Sequence, residues 1–89
     1  MATIAVTSHL KAVGPAEPLH RAGATVGEVL GALEPEYPML LNYILDDQRR
    51  VRQHIAIFVD GALRPRQSVL SEPVGEDSEV YVFQALSGG

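Results

Sequence analysis

Few side chains in this sequence are equipped for chemistry. The 89 residues contain no cysteine, which removes thiolate nucleophiles, disulfides and cysteine–metal sites. His9, His20 and His54 fall in three separate segments, and no pair has the spacing that places two imidazoles on one metal ion. Ser8, Ser68, Ser71, Ser78 and Ser87 lack the Gly-x-Ser-x-Gly setting of a nucleophile elbow. No GxGxxG and no P-loop is present, so the chain brings no nucleotide site of its own. Asp46-Asp47 and Glu76-Asp77 read as solvated turn residues rather than a catalytic pair. Arg49, Arg50 and Arg52 could dock an acidic partner, but with Asp46 and Asp47 beside them they read first as a solvated charged loop.

What remains is the terminal Gly88-Gly89. Glycine carries no side chain, so such an end can thread a narrow channel. A five-residue tail leaving a rigid strand reaches up to roughly 17 Å, at about 3.3–3.6 Å per residue. The group it delivers is the α-carboxylate of Gly89. That design suits a carrier whose end is worked on inside other enzymes.

Something must hold that end out. Ile4 to Leu10 alternates and is rich in β-branched residues, which predicts a first strand. Gly14-Pro15 and Pro18 make a turn, and Leu19 to Ala22 fits a short returning strand. Thr25 followed by Glu28 has capping-box spacing. Val26, Val29, Leu30 and Leu33 then form the apolar stripe of a main helix, which Pro35 stops near Glu34. Met39 to Leu45 predicts a second, short helix, with Tyr37, Leu40, Leu41, Ile44 and Leu45 inward. Residues 46–53 read as a polar loop. His54 to Val59 is the clearest strand, ended by the turn signal Asp60-Gly61. Ala62 to Arg66 fits an edge strand, because Pro65 cannot donate to a ladder. Glu79 to Gln84 is the last strand.

This order predicts an α+β fold: a mixed sheet of four to five strands packed on one main helix plus a short helix. Residues 1–84 form the domain and 85–89 a flexible tail. Ile4, Val6, Ile55, Ile57, Val59, Val80 and Val82 supply the inner sheet face, each worth roughly 1.5–3 kcal/mol when fully buried. Ala56, Phe58, Tyr81 and Phe83 fall on the other face, with no second layer left to cover them, which suggests a docking surface.

Composition bounds the rest. Eighty-nine residues make one small domain, burying roughly 60–65% of the surface exposed when unfolded. Seven basic against 11 acidic side chains give a formal net charge of −4, with no overall pull toward nucleic acid or anionic membrane. With no disulfides, no leader-like start and no apolar run of membrane-spanning length, the expected location is the cytoplasm.

The block from Glu72 to Gly89, which holds Glu79-Val80-Tyr81-Val82-Phe83-Gln84 and ends in Gly-Gly, resembles the C-terminal block of the ThiS/MoaD family of ubiquitin-like sulfur carriers. The resemblance extends to Ala24-Thr25-Val26-Gly27-Glu28-Val29-Leu30 and to Ile57-Phe58-Val59-Asp60-Gly61, in the family's order. It implies the β-grasp fold and a protein co-substrate rather than an enzyme. It also implies a mechanism. A ubiquitin-activating-type enzyme uses ATP to adenylate the carboxylate of Gly89, and a sulfur donor displaces AMP to leave a thiocarboxylate. A biosynthetic enzyme then accepts the sulfur.

In that reading Gly89 reacts, Gly88 gives access, and Leu86 and Ser87 are tail contacts. Phe58, Tyr81, Phe83 and Ala85 form the partner surface, and the carrier binds no metal or cofactor of its own. Small subunits of molybdopterin synthase carry a proline pair where this chain has Gln84-Ala85. The length and the insertion from Pro35 to Gln53 look more like carriers of the CysO type, which serve cysteine synthesis or specialised metabolism. The other readings are a molybdopterin synthase small subunit, a non-catalytic β-grasp binding module and a lysine-linked modifier.

Overall fold

A computed structural model describes residues 1–84 of the chain. Five strands form one sheet: β1 (Ala2–Val6), β2 (Leu19–Arg21), β3 (Ile55–Val59), β4 (Ala62–Leu63) and β5 (Glu79–Gln84). Two helices accompany it, α1 (Val26–Gly31) and α2 (Pro38–Ile44). The strand order is β2-β1-β5-β3-β4. β1 and β5 run parallel, and every other neighbouring pair is antiparallel. The last strand therefore sits at the centre of the sheet. The architecture is the α+β fold with a mixed sheet on one main helix that the sequence predicts.

The local causes are legible. Thr25 is extended, and its Oγ1 accepts the Glu28 N–H at 3.2 Å. Glu28 Oε1 in turn accepts the Ala24 N–H at 3.0 Å. This is a capping box that reaches one residue further back than the usual form. Pro38 begins α2, where its missing N–H would have had no helical partner. Asp60 and Gly61 take positive φ, 53° and 85°, as a two-residue turn between twisted antiparallel strands requires. Gly27 is needed for a close approach: a Cβ there would stand 2.9 Å from the Leu70 carbonyl oxygen.

The core lies between the inner sheet face and the helices. Ile4, Val6, Ile57, Val59, Val80 and Val82 meet Val26, Val29, Leu30 and Leu33, with Leu40, Leu41 and Ile44 closing one end. No polar or charged side chain is buried among the described residues.

Four expectations need correction. β1 ends at Val6, not Leu10. The Leu10 N–H donates to the Thr7 carbonyl at 2.9 Å, so the chain turns and drops Leu10 into the core. An alternating pattern and a turn with an apolar third residue look alike in sequence. α1 ends at Gly31, and tighter turns carry the chain onward, with Leu33 N–H on the Leu30 carbonyl and Glu34 N–H on the Gly31 carbonyl. β4 spans two residues, although the Arg64 N–H still reaches the Ile57 carbonyl at 3.1 Å before Pro65 ends the ladder. The polar loop 46–53 contains a core residue: Val51 is buried and bridges to Leu45.

Candidate functional site

Side chains alternate along a strand, so burying Val80 and Val82 forces Glu79, Tyr81 and Phe83 outward. The same rule turns Ala56 and Phe58 of β3 and Thr3 and Ala5 of β1 to that side. Register then brings them together. Phe58 stands opposite Tyr81, Ala56 opposite Phe83, and Ala5 beside Tyr81. The rings of Phe58 and Phe83 meet edge to face, with centroids 6.5 Å apart and an interplanar angle of 75°, the arrangement favoured by aromatic quadrupoles. Tyr81 and Phe83 remain 41% and 39% exposed. Around them is an open depression of about 540 Å3, also lined by Thr3, Ala5 and Pro18.

The three aromatic residues singled out by sequence thus share one uncovered face. Sequence reasoning missed Leu63. It pairs with Phe58, so it extends the same face across β4, and it is 61% exposed. The signal was present in the two-residue turn, which fixes the register of any residue after it.

β5 carries the chain toward its end. Gln84 pairs with Ile55 on one side, and its N–H reaches Thr7 Oγ1 at 3.4 Å on the other. Ala85, Leu86, Ser87, Gly88 and Gly89, named from sequence as tail or reactive residues, lie outside the described residues.

The histidines are not brought together as ligands. His20 Nδ1 lies 3.1 Å from Thr3 Oγ1, and the other two sit in separate segments. No cluster of three His, Asp or Glu side chains is placed to hold a metal ion among the described residues. No helix among them is long and apolar enough to cross a membrane.

The charged loop is ordered by Asp46. Its Oδ1 accepts the N–H groups of Gln48 and Arg50, each at 2.9 Å, and its Oδ2 accepts Arg50 Nε at 3.3 Å. The Arg50 backbone N–H, aided by Gln48 and the Arg50 guanidinium and opposed by partial desolvation, holds the Asp46 carboxyl below its ordinary value. A depressed folded-state value means that the carboxylate's support of the loop is complete above the unfolded value. That support is lost as pH falls through the folded one. The amide resonances of Gln48 and Arg50 are therefore expected to move only in acid, below the ordinary aspartate range. Asp46→Asn should remove that titration, which an NMR pH series checks.

The chain matches the model of the ThiS family over residues 8–89. No curated protein sequence matches it. Among solved structures, the crystal structure of SAMP1 from Haloferax volcanii is similar at 24% identity and a TM-score of 0.77, covering 99% of this chain and 98% of that one. The small archaeal modifier protein 1 from Methanosarcina acetivorans is similar at 21% identity and a TM-score of 0.83, covering 99% and 95%. The Amycolatopsis orientalis BexX/CysO complex contains a chain similar at 19% identity and a TM-score of 0.83, covering all of both chains. At these identities the structural likenesses establish the β-grasp fold. The family match, which spans most of the chain and includes Gly88-Gly89, establishes membership: this chain belongs to the ThiS family.

Proposed function

We propose that the chain is a cytoplasmic sulfur carrier that acts as a protein co-substrate. The observation that carries this reading is the joining of two features. An uncovered aromatic face, made by Tyr81 and Phe83 of β5 with Phe58 of the neighbouring β3, includes the strand that precedes Gly88-Gly89 in the sequence of a ThiS-family chain. A partner can grip the face and receive the end.

The Gly89 carboxylate attacks the α-phosphate of ATP on a ubiquitin-activating-type enzyme, releasing pyrophosphate. A carboxylate oxygen is a poor leaving group, whereas AMP leaves readily from the mixed anhydride. Sulfide displaces AMP and leaves a thiocarboxylate on Gly89. A persulfide donor displaces AMP to give an acyl disulfide, from which a second thiol releases the thiocarboxylate as it forms a disulfide with the donor sulfur. The thiocarboxylate sulfur is then the nucleophile inside a biosynthetic enzyme, for cysteine or a specialised metabolite, and the accepting enzyme supplies the catalytic side chains. The domain's part is to place the end, through a rigid β5, a docking face and a narrow tail. In this reading Gly88 gives access to the reacting carbon, Leu86 and Ser87 are contacts of the tail with the partner, and Ala85 belongs to the partner surface.

Incubation with a cognate activating enzyme, ATP and a sulfur donor should raise the intact mass by the difference between a sulfur and an oxygen atom, localised to Gly89. If no activating enzyme of the same organism adenylates the chain, the reading fails.

Phe83→Ala tests the docking face. Its ring is partly exposed, so stability should fall only by about the 0.5–1.5 kcal/mol of an aromatic pair plus a little burial. Partner affinity should fall tenfold or more, as for a central aromatic anchor worth about 1.4 kcal/mol or above. An unchanged affinity in titration calorimetry would remove this residue from the interface.

The likeness to two small archaeal modifier proteins favours one second reading, transfer of the activated Gly89 carbonyl to an amine. Lys11 is the only lysine of the chain, so lysine-linked self-chains would need that residue. Higher-mass conjugates that depend on Gly89 would distinguish modification from sulfur delivery.

A further inference from the structure

Folding gathers charges that the sequence scatters. Arg49, Arg50 and Arg66 line an open cleft of about 460 Å3 together with Asp46, Gln67 and Leu70. Three guanidinium groups meet two carboxylates, Asp46 in the lining and Glu34 against Arg49, which leaves the cleft one positive charge in excess on a chain whose formal net charge is −4. Asp46 is already engaged, since both its carboxylate oxygens accept hydrogen bonds from the loop itself.

The walls are built. Asp46 N–H donates to the Arg50 carbonyl at 2.8 Å and Arg49 N–H to the Asp46 carbonyl at 2.9 Å, which closes the loop into a tight hairpin. Arg49 sits at φ 64°, a left-handed conformation that a non-glycine residue adopts only where its surroundings hold it. Arg66 Nη1 donates to the Val51 carbonyl at 3.3 Å and so spans the floor between the two segments. Arg66 has no carboxylate partner among the described residues. A guanidinium has five N–H donors, so one bond to a carbonyl leaves most of them for a ligand. Arg49 holds the exposed carboxylate of Glu34 and Arg50 the half-buried carboxylate of Asp46, each at 3.3 Å. The exposed Arg49–Glu34 pair is weak and exchangeable, which frees Arg49 for a ligand.

Position gives the cleft its meaning. Val51 and Arg66 lie where the chain enters β3, and Ile55, the first residue of β3, pairs with Gln84. The basic cleft is therefore at the end of the sheet from which the chain continues to Gly89. At the opposite end, Asp60 accepts the Glu79 N–H, and Glu76 and Asp77 precede β5 in the adjoining turn. Charge is segregated along the strand direction, which orients a partner as well as attracting it.

We propose that this cleft receives an acidic surface element of the enzyme that activates Gly89, a glutamate- or aspartate-bearing segment beside the channel taking the tail. The inference rests on the carrier reading and adds the chemistry of the partner's rim.

The test uses the full chain and the activating enzyme of the same organism, followed by ATP–pyrophosphate exchange. Arg66→Glu and the double variant Arg49→Glu, Arg50→Glu should raise the KM for the chain about tenfold or more with kcat retained. Arg66→Lys should recover most of the loss. For the unaltered chain, KM should rise as NaCl goes from about 50 to about 500 mM, and for the Glu variants it should not. A folded Glu variant with the KM and salt response of the unaltered chain overturns the proposal.

A second arm titrates the 15N-labelled chain with hexaglutamate and, separately, with inorganic phosphate. Shifts at Arg49, Arg50 and Arg66 with the peptide support the proposal. Shifts with phosphate alone, or with neither, overturn it. If the unaltered chain supports no exchange at all, the carrier reading fails, and the peptide titration by itself decides whether the cleft binds acidic protein.

Discussion

Removal of Gly88 and Gly89 is expected to abolish thiocarboxylate formation and leave the melting temperature unchanged. The chemistry requires a carboxylate at the end of a chain thin enough to enter the partner, and no side chain of this protein can substitute for it, since cysteine is absent. The stability half follows from the fold. Among the described residues the core runs from Ala2 to Val82, where the last buried side chain stands. A milder version separates access from identity: Gly88→Val keeps the carboxylate on Gly89 but thickens the tail by a branched side chain. Adenylation should fall steeply with the domain intact. Intact mass spectrometry of the loading reaction beside a thermal melt measures both halves. A melt that drops with the deletion would mean that the end is a packed element of the domain.

Leu30→Ala is expected to have the opposite signature. Leu30 lies in α1, is 1% exposed, and belongs to the cluster shared by the helices and the inner sheet face. Truncating a fully buried leucine costs about 2–5 kcal/mol, from lost transfer energy and the cavity left behind. A small domain holds only about 5–15 kcal/mol in total. With a shift of roughly 4–8 °C per kcal/mol for a domain of this size, the melting temperature should fall by about 8 °C or more. Activity at a temperature where the variant is still folded should match the unaltered chain, because the substitution touches neither the outer face nor the end. Denaturant melts and loading rates at low temperature check this together.

The sequence carried those parts of the fold that are written locally. Thr25 with Glu28, Asp60-Gly61 and the alternation from Glu79 to Gln84 each specify their own geometry. The two-residue periodicity of Phe58, Tyr81 and Phe83 was enough to place them on one face. What it could not carry depends on segments meeting. Leu10 follows Val6 at even spacing, so a turn that buries it looks like two more residues of strand. Val51 sits between Arg50 and Arg52, and no local pattern marks it as core; only its bridge to Leu45 does. Leu63 joined the aromatic face through its register with Phe58. Of the basic cleft the sequence showed Arg49 and Arg50 but not Arg66, for the same reason: Arg66 is fourteen positions beyond Arg52 in the chain, and only the return of the chain after β4 brings it beside Val51.

The parallel pairing of the first and last strands has a mechanical side. β1 enters the sheet near Glu79 and β5 leaves it past Val82, so the two strands point the same way and overlap along their length. A pull between Ala2 and Gln84 loads the Thr3–Ser78 and Thr7–Val82 hydrogen bonds, and those between them, at the same time. Such a ladder slides only when all its rungs break together, whereas an antiparallel hairpin pulled at its open end parts one rung after another. Resistance to force is set by the unfolding barrier rather than by equilibrium stability. A partner that hauls on the tail therefore draws against the whole ladder at once, and a domain of modest thermodynamic stability can behave under tension as a stiff handle.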